Sequence, residues 1–251
     1  VLESDTRTRI INRFVGKMKR YNIYIALLFV ALVKTIDGAY AQSGDQILDG
    51  IGETGMVARY VFNGDLKDWS RNGLHGKFPG EQASFVEDKQ FNKVLSLKGE
   101  KNDFVLLPPQ ALADLESISI TGWLFLRSEE PAQYLFDFGE DGTKHFAVTP
   151  TGTRLKKGYQ AILATGSNDE KNASSTTVPR DKWIHMAIVV DIATGAMQTY
   201  LDAKLVGEVN NIPQELTAVF GQLGSKKMLH IGSTLVEGGT NVNALLHDLR
   251  I

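Results

Sequence analysis

Four ring-bearing side chains stand among polar neighbours in this chain, and their chemistry is the first thing the sequence offers. Trp69 lies in the polar run DWSRNG, Tyr134 and His145 open two short apolar segments, and Tyr159 follows Lys156 and Lys157 between candidate strands. An aromatic face can lie against the apolar side of a sugar ring while Asp, Asn or Arg nearby satisfy its hydroxyls. Trp69, Tyr134, His145 and Tyr159 are therefore the ligand-binding candidates. Two of them have a plainer reading as well: Trp69 as packing over the end of a fold, Tyr159 and its lysines as a solvated loop. Trp123, Trp183 and His185 sit in strongly apolar segments and read as core, and His75, between Leu74 and Gly76, reads as a turn residue.

Glycoside hydrolysis asks for two carboxylates placed across a bond, one as acid and one as nucleophile or base. The nearest candidates, Asp137 with Glu140 and Asp141, run into a glycine turn instead of alternating along one strand. No nucleophile-elbow motif is present. The absence of cysteine excludes a disulfide framework, thiolate metal sites and a cysteine nucleophile together. The expectation is a chain that is not itself an enzyme. A net charge of -2, with 22% charged residues and no long basic stripe, argues against nucleic acid as a partner. With 43% apolar residues the chain can build a core.

The elements that must position these residues are strands. Short apolar segments recur between Gly, Asn and Asp clusters from residues 56–62 to residues 244–251, with helical turns expected only at 109–115 and 213–221. SISITGWLFL at 117–126 alternates before becoming apolar on both faces, and WIHMAIVV at 183–190 reads as covered on both sides. DIATGAMQTYLDAKLVG then reads as two successive hairpins, the second with Ala203 where glycine would be expected. Many short strands with regular turn signals predict an all-β fold, a two-sheet antiparallel β-sandwich.

The beginning of the chain reads as an address. Residues 1–17 read as a mis-called leader upstream of Met18. Residues 18–41 form a signal peptide: Lys17, Lys19 and Arg20 precede the apolar run at 23–33, and Ala39, Tyr40 and Ala41 suit signal peptidase. The apolar run falls short of the ~20 residues that a membrane span needs. Residues 42–54 read as a linker and 55–251 as one domain. The expected destination is secreted, periplasmic or cell surface, with no membrane contact beyond the signal peptide.

Several motifs in order carry a resemblance. YVFNGDLKDWSRNGLHG at 60–76, SISITGWLFL, YLFDFG at 134–139, KWIHMAIVVD with YLDAKLVG, and HDLRI at 247–251 are similar to the successive strands of laminin-G-like domains in the concanavalin A-like lectin/glucanase superfamily. The resemblance covers residues 55–251 and implies a jelly roll with a concave face and glycan-binding rim loops. It implies a non-catalytic carbohydrate-binding accessory module of a secreted bacterial-type protein, whose downstream catalytic domain would be a polysaccharide-degrading glycoside hydrolase. The alternative is a structural or protein-adhesion module of the cell envelope. The family continues past the position of Ile251 with an aromatic and an Asn, so the chain reads as a piece of a longer polypeptide.

The same resemblance implies a structural calcium tying the N-terminal turn to the last strand, with Asp65, Asp68 and Asp248 as its ligands. The competing reading is that these Asp residues hydrogen-bond their own turns. His247 stands where the family usually has an acid, and alternation places it inward with Leu245, Leu249 and Ile251.

Overall fold

The computed structural model describes residues 55–80, 83–113, 115–166, 170–212 and 228–251. The leader, signal-peptide and linker readings, and the expected helical turn at 213–221, lie outside the described residues. Residues Gly55–Ile251 form one compact unit.

The first strands are β1 (Arg59–Tyr60), β2 (Phe85–Asp88), β3 (Asn92–Lys98), β4 (Val105–Leu107), β5 (Ile118–Leu126), β6 (Gln133–Tyr134), β7 (Phe136–Asp141) and β8 (Lys144–Thr149). They are followed by β9 (Gln160–Thr165), β10 (Glu170–Ser174), β11 (Trp183–Asp191), β12 (Ala196–Leu201), β13 (Lys204–Asn210), β14 (Met228–Ile231), β15 (Thr240–Asn241) and β16 (Asn243–Arg250). Among the described residues the helical content is one 3-10 turn at Pro109–Leu112, and no helix is long and apolar enough to cross a membrane.

An eight-stranded sheet runs β13-β12-β11-β5-β16-β3-β2, with β1 paired to β16. A six-stranded sheet runs β10-β9-β8-β7-β14-β4, and β15 pairs β6 in parallel beside them. The two large sheets are antiparallel and stack as a sandwich. Alternation explains the stacking: in β5, Ile118, Ile120, Leu124 and Leu126 are buried while Ser119, Thr121, Trp123 and Phe125 face out. From the other sheet, Phe136, Phe138, Phe146, Val148 and Leu163 enter the same core.

Two expectations are corrected by the alternation itself. β11 is not covered on both sides: Ile184, Met186, Ile188 and Val190 are buried, while Trp183 and His185 lie half-buried on the outer face beside Trp123. Phe91, from the β2–β3 turn, folds over this row, with its ring centroid 5.0 Å from Trp183, 5.3 Å from Trp123 and 4.3 Å from His247. A turn laid over the sheet thus gives these rings a satellite cluster outside the core.

His247 also faces outward, because β16 carries a bulge. Its pairing with β5 shifts between His247 and Arg250, and Asp248 adopts φ 48°. An inserted residue resets the alternation. Ala244 and Leu246 are therefore inward before the bulge, and Leu249 and Ile251 after it.

The β12–β13 turn places both Asp202 (φ 47°) and Ala203 (φ 63°) in the left-handed region, which a Cβ disfavours. Ala203→Gly relieves that strain and is expected to raise the unfolding free energy by about 0.5–1 kcal/mol, read by urea denaturation. A loss of stability would mean that the turn tolerates its alanine without strain.

Candidate functional site

The outer face of the six-stranded sheet holds a hollow of about 460 Å³. Its floor follows from period-2 alternation in β8 and β9: Phe146, Val148, Ala161 and Leu163 point into the core, which leaves His145, Ala147, Gln160 and Ile162 on the outer side. Tyr134, Ala147 and Ile162 form a small apolar cluster there, with Val236 packed against it. Loop residues 153–156 and 236–239 make the rim, and Glu170 and Asn172 of edge strand β10 close one side.

Polar groups in the floor are fixed before any ligand arrives. Asp137, fully buried, holds His145 Nδ1 at 2.9 Å with one carboxylate oxygen. Its other oxygen accepts from the Thr234 hydroxyl at 2.7 Å and the Leu235 N–H at 2.8 Å, which anchors the rim loop to β7. The nitrogen that remains to His145 is Nε2. The fully buried Gln160 accepts from the Asn172 amide at 2.8 Å and donates to the Lys156 carbonyl. The Tyr134 hydroxyl finds no hydrogen-bond partner among the described residues, and burial first, then Asp137 and Glu170, pushes it up to about 12. It is therefore a neutral donor at any physiological pH. Gly139 keeps the floor flat, since a Cβ there would meet His145 Cβ at 2.5 Å.

The pattern that defines the concanavalin A-like lectin/glucanases superfamily, in its laminin-G form, matches residues 98–251. The chain belongs to this superfamily. As a laminin-G-like domain it is similar in fold to domain 4 of AbnA, a GH43 extracellular arabinanase from Geobacillus stearothermophilus, solved in complex with arabinotriose. The TM-score is 0.60 at 21% identity, over 78% of this chain and 90% of that one. The binding domain of botulinum neurotoxin serotype C1 is similar at TM-score 0.53 and 16% identity, over 78% of this chain and 48% of that chain. At these identities the likeness is one of fold. No curated protein sequence matches.

Of the four ligand-binding residues expected in this laminin-G-like domain, Tyr134 and His145 come together in the hollow. Trp69 lies elsewhere, in the turn between β1 and β2, 54% exposed with Lys67 Nζ 5.3 Å from its ring centroid. Tyr159 is corrected: it is fully buried between the sheets, one residue out of phase with Gln160, and cannot touch a surface ligand. Its hydroxyl has no hydrogen-bond partner among the described residues, and burial holds its ionisation far above the usual range. An orphaned buried hydroxyl is a cost. Tyr159→Phe is expected to stabilise the fold by about 1 kcal/mol in thermal or urea unfolding; a destabilised variant would reveal a partner for the oxygen.

Asp65, Asp68 and Asp248 do not fit a calcium ion. Asp65 is exposed and accepts from the Lys67 N–H of its own turn. Asp68, 2% exposed, is already filled by four donors: the N–H groups of Arg59, Ser70 and Leu74 and the Ser70 hydroxyl. Asp248 is held by Arg59 Nε at 2.8 Å and by Arg250. Arg59 thus bonds Asp68 through its backbone and Asp248 through its side chain. A guanidinium ties the N-terminal turn to the last strand where a cation was expected. No group of three His, Cys, Asp or Glu among the described residues is arranged to hold a metal.

Sequence reasoning missed Gln160, Arg154, Glu170, Asn172 and Glu237. β10 reads EKNAS, with only Ala173 fully buried, so it lacks the apolar alternation that announces a strand.

Proposed function

We propose that this domain binds a glycan without cleaving it, as an accessory module of a longer secreted protein whose catalytic part is a polysaccharide-degrading glycoside hydrolase. The observation that carries this reading is the hollow itself. A preset polar floor, a free neutral phenol and an apolar lip at Leu155, 99% exposed, are the pairing of surfaces a sugar requires. The fold likeness to an arabinanase domain solved with arabinotriose supports both the ligand class and the accessory role.

The setting of the carboxylates supports binding without cleavage. A general acid must keep its proton near neutral pH, which takes desolvation. Asp137 is buried but is engaged by His145, Thr234 and Leu235. Glu170 and Glu237 line the hollow and stay in water.

Affinity electrophoresis of the full chain in gels containing arabinan, xylan, mannan or β-glucan tests the reading. At least one polymer should retard it, and Tyr134→Phe should weaken that retardation by about threefold to tenfold, the loss of one hydrogen bond. Trp69→Ala should leave it unchanged. Retardation by no polymer would remove the glycan reading in favour of an adhesion or spacer module, and release of reducing ends by the chain would remove the non-catalytic part.

A further inference from the structure

A second hollow, of about 470 Å³, adjoins the first and shares Ala132, Arg154 and Gly238 in its wall. Arg154 is the common feature. It stands exposed on the 153–156 rim with no hydrogen-bond or ion-pair partner among the described residues. Its guanidinium packs against Gly238: a Cβ built there would come within 2.7 Å of Cζ. A guanidinium carries five donors in a fixed fork and no acceptor. Placed where two hollows meet, it faces whatever passes from one to the other.

The charges around the joined hollows cancel. Lys98, Arg154 and Lys156 stand against Glu130, Glu170 and Glu237. A lining without net charge gives a polyanion no long-range pull. Each hollow alone falls within the ~300–1,000 Å³ range of a small-ligand pocket. Together they exceed what one or two sugar rings fill.

We propose that the ligand is the interior of a neutral oligosaccharide chain that runs through both hollows, with Arg154 donating to hydroxyl or ring oxygens at the crossing point. This rests on the glycan reading of the first hollow and adds three things to it: a neutral ligand, a length requirement and a specificity residue. The first hollow holds one end of the bound stretch, beside Tyr134 and Glu237, and the second holds the continuation, beside Glu130.

Isothermal titration of the full chain with oligosaccharide ladders cut from arabinan, xylan, mannan and β-glucan, from disaccharide to octasaccharide, reads the length requirement. An oligogalacturonide ladder serves as the acidic counterpart. For the ladder that binds, the hexasaccharide is expected to bind about tenfold tighter than the disaccharide, with little change between low and physiological salt. Glu130→Ala, at an exposed position that lines only the second hollow, should remove that gain and leave disaccharide affinity in place, while Arg154→Ala, on the shared wall, should weaken the hexasaccharide more than the disaccharide. Glu237→Ala should weaken all lengths alike. Affinity independent of length, a hexasaccharide unaffected by Arg154→Ala, or tighter and salt-sensitive binding of oligogalacturonides would each overturn the inference while leaving glycan binding intact. Binding of no ladder would remove both.

Discussion

Asp137→Ala is expected to lower the unfolding free energy by about 3–5 kcal/mol and to abolish glycan retention together. The carboxylate is fully buried in β7 and has three partners: His145 on β8 and the Thr234 hydroxyl and Leu235 N–H on the rim loop. Alanine leaves all three without an acceptor in a place that water does not replace, and each orphaned buried group costs about 1–3 kcal/mol. Retention fails for a separate reason. Thr234 also accepts the Val236 N–H at 3.0 Å, so a loop released at Asp137 carries Val236 away from the Tyr134 cluster. Asp137→Asn keeps one carbonyl oxygen and should lose less stability than the alanine variant, which separates the hydrogen bonding from the negative charge. Urea denaturation with retention measured on the same preparations checks both effects; a cost for Asp137→Ala under about 1 kcal/mol would show that the network is dispensable.

The sandwich was legible because its main strands obey one rule. β11, β12 and β14 begin and end where their apolar runs do, and turn residues mark the gaps. The bulge at Asp248 was not legible, because a single left-handed residue in HDLRI has no compositional mark, and it reverses which of His247 and Leu246 faces the core. Trp123 and Trp183 look like core by type, and only the turn carrying Phe91 shows that they form an outer cluster. The site was half legible. Tyr134 and His145 were identifiable as rings among polar residues, but the hollow is assembled from strands and loops more than 100 positions apart, as the Thr240 hydroxyl bond to the Ala132 carbonyl illustrates. Tyr159 and Gln160 differ only in parity, and parity in a strand that starts beside a glycine loop cannot be counted from sequence. Asp65 and Asp68 could be read from sequence either as turn residues or as metal ligands, and their hydrogen bonds lie within the N-terminal turn. The filling of Asp68 by three N–H donors needed the geometry.

Acid is expected to unfold the domain in two stages, and Asp68 contributes to the second. Burial opposes the charge on Asp68, but the N–H groups of Arg59, Ser70 and Leu74 outweigh it and hold its carboxyl below the usual range. Burial likewise opposes Asp248, where Arg250 and Arg59 prevail. A carboxyl depressed in the folded state contributes stability that is complete above its unfolded value, about 3.9, and is lost as pH falls below it. His230 and His247 are held low in the folded state chiefly by burial, each with an Nδ1 that has no partner among the described residues. Their unfolded forms take up protons near pH 6.5, so their contribution is full above that value and begins to fall first. For His247 the facing groups are Asp248 and Asp88, which favour the proton, and Arg59, which opposes it. The melting temperature should therefore decline gently from about pH 6.5 and steeply below about pH 4. His247→Phe, stacked on Phe91 as the imidazole is, should reduce the first stage to the part that His230 contributes and leave the second in place. Asp68→Ala should cost about 3 kcal/mol at neutral pH, by orphaning the Arg59 and Leu74 N–H groups, and should blunt the second stage. Since the Arg59 guanidinium holds Asp248, a chelator should leave the whole profile unchanged. A profile in which chelator lowers the melting temperature, or in which Asp68→Ala is as stable as the parent at neutral pH, would show that this turn is held by something other than its own donors.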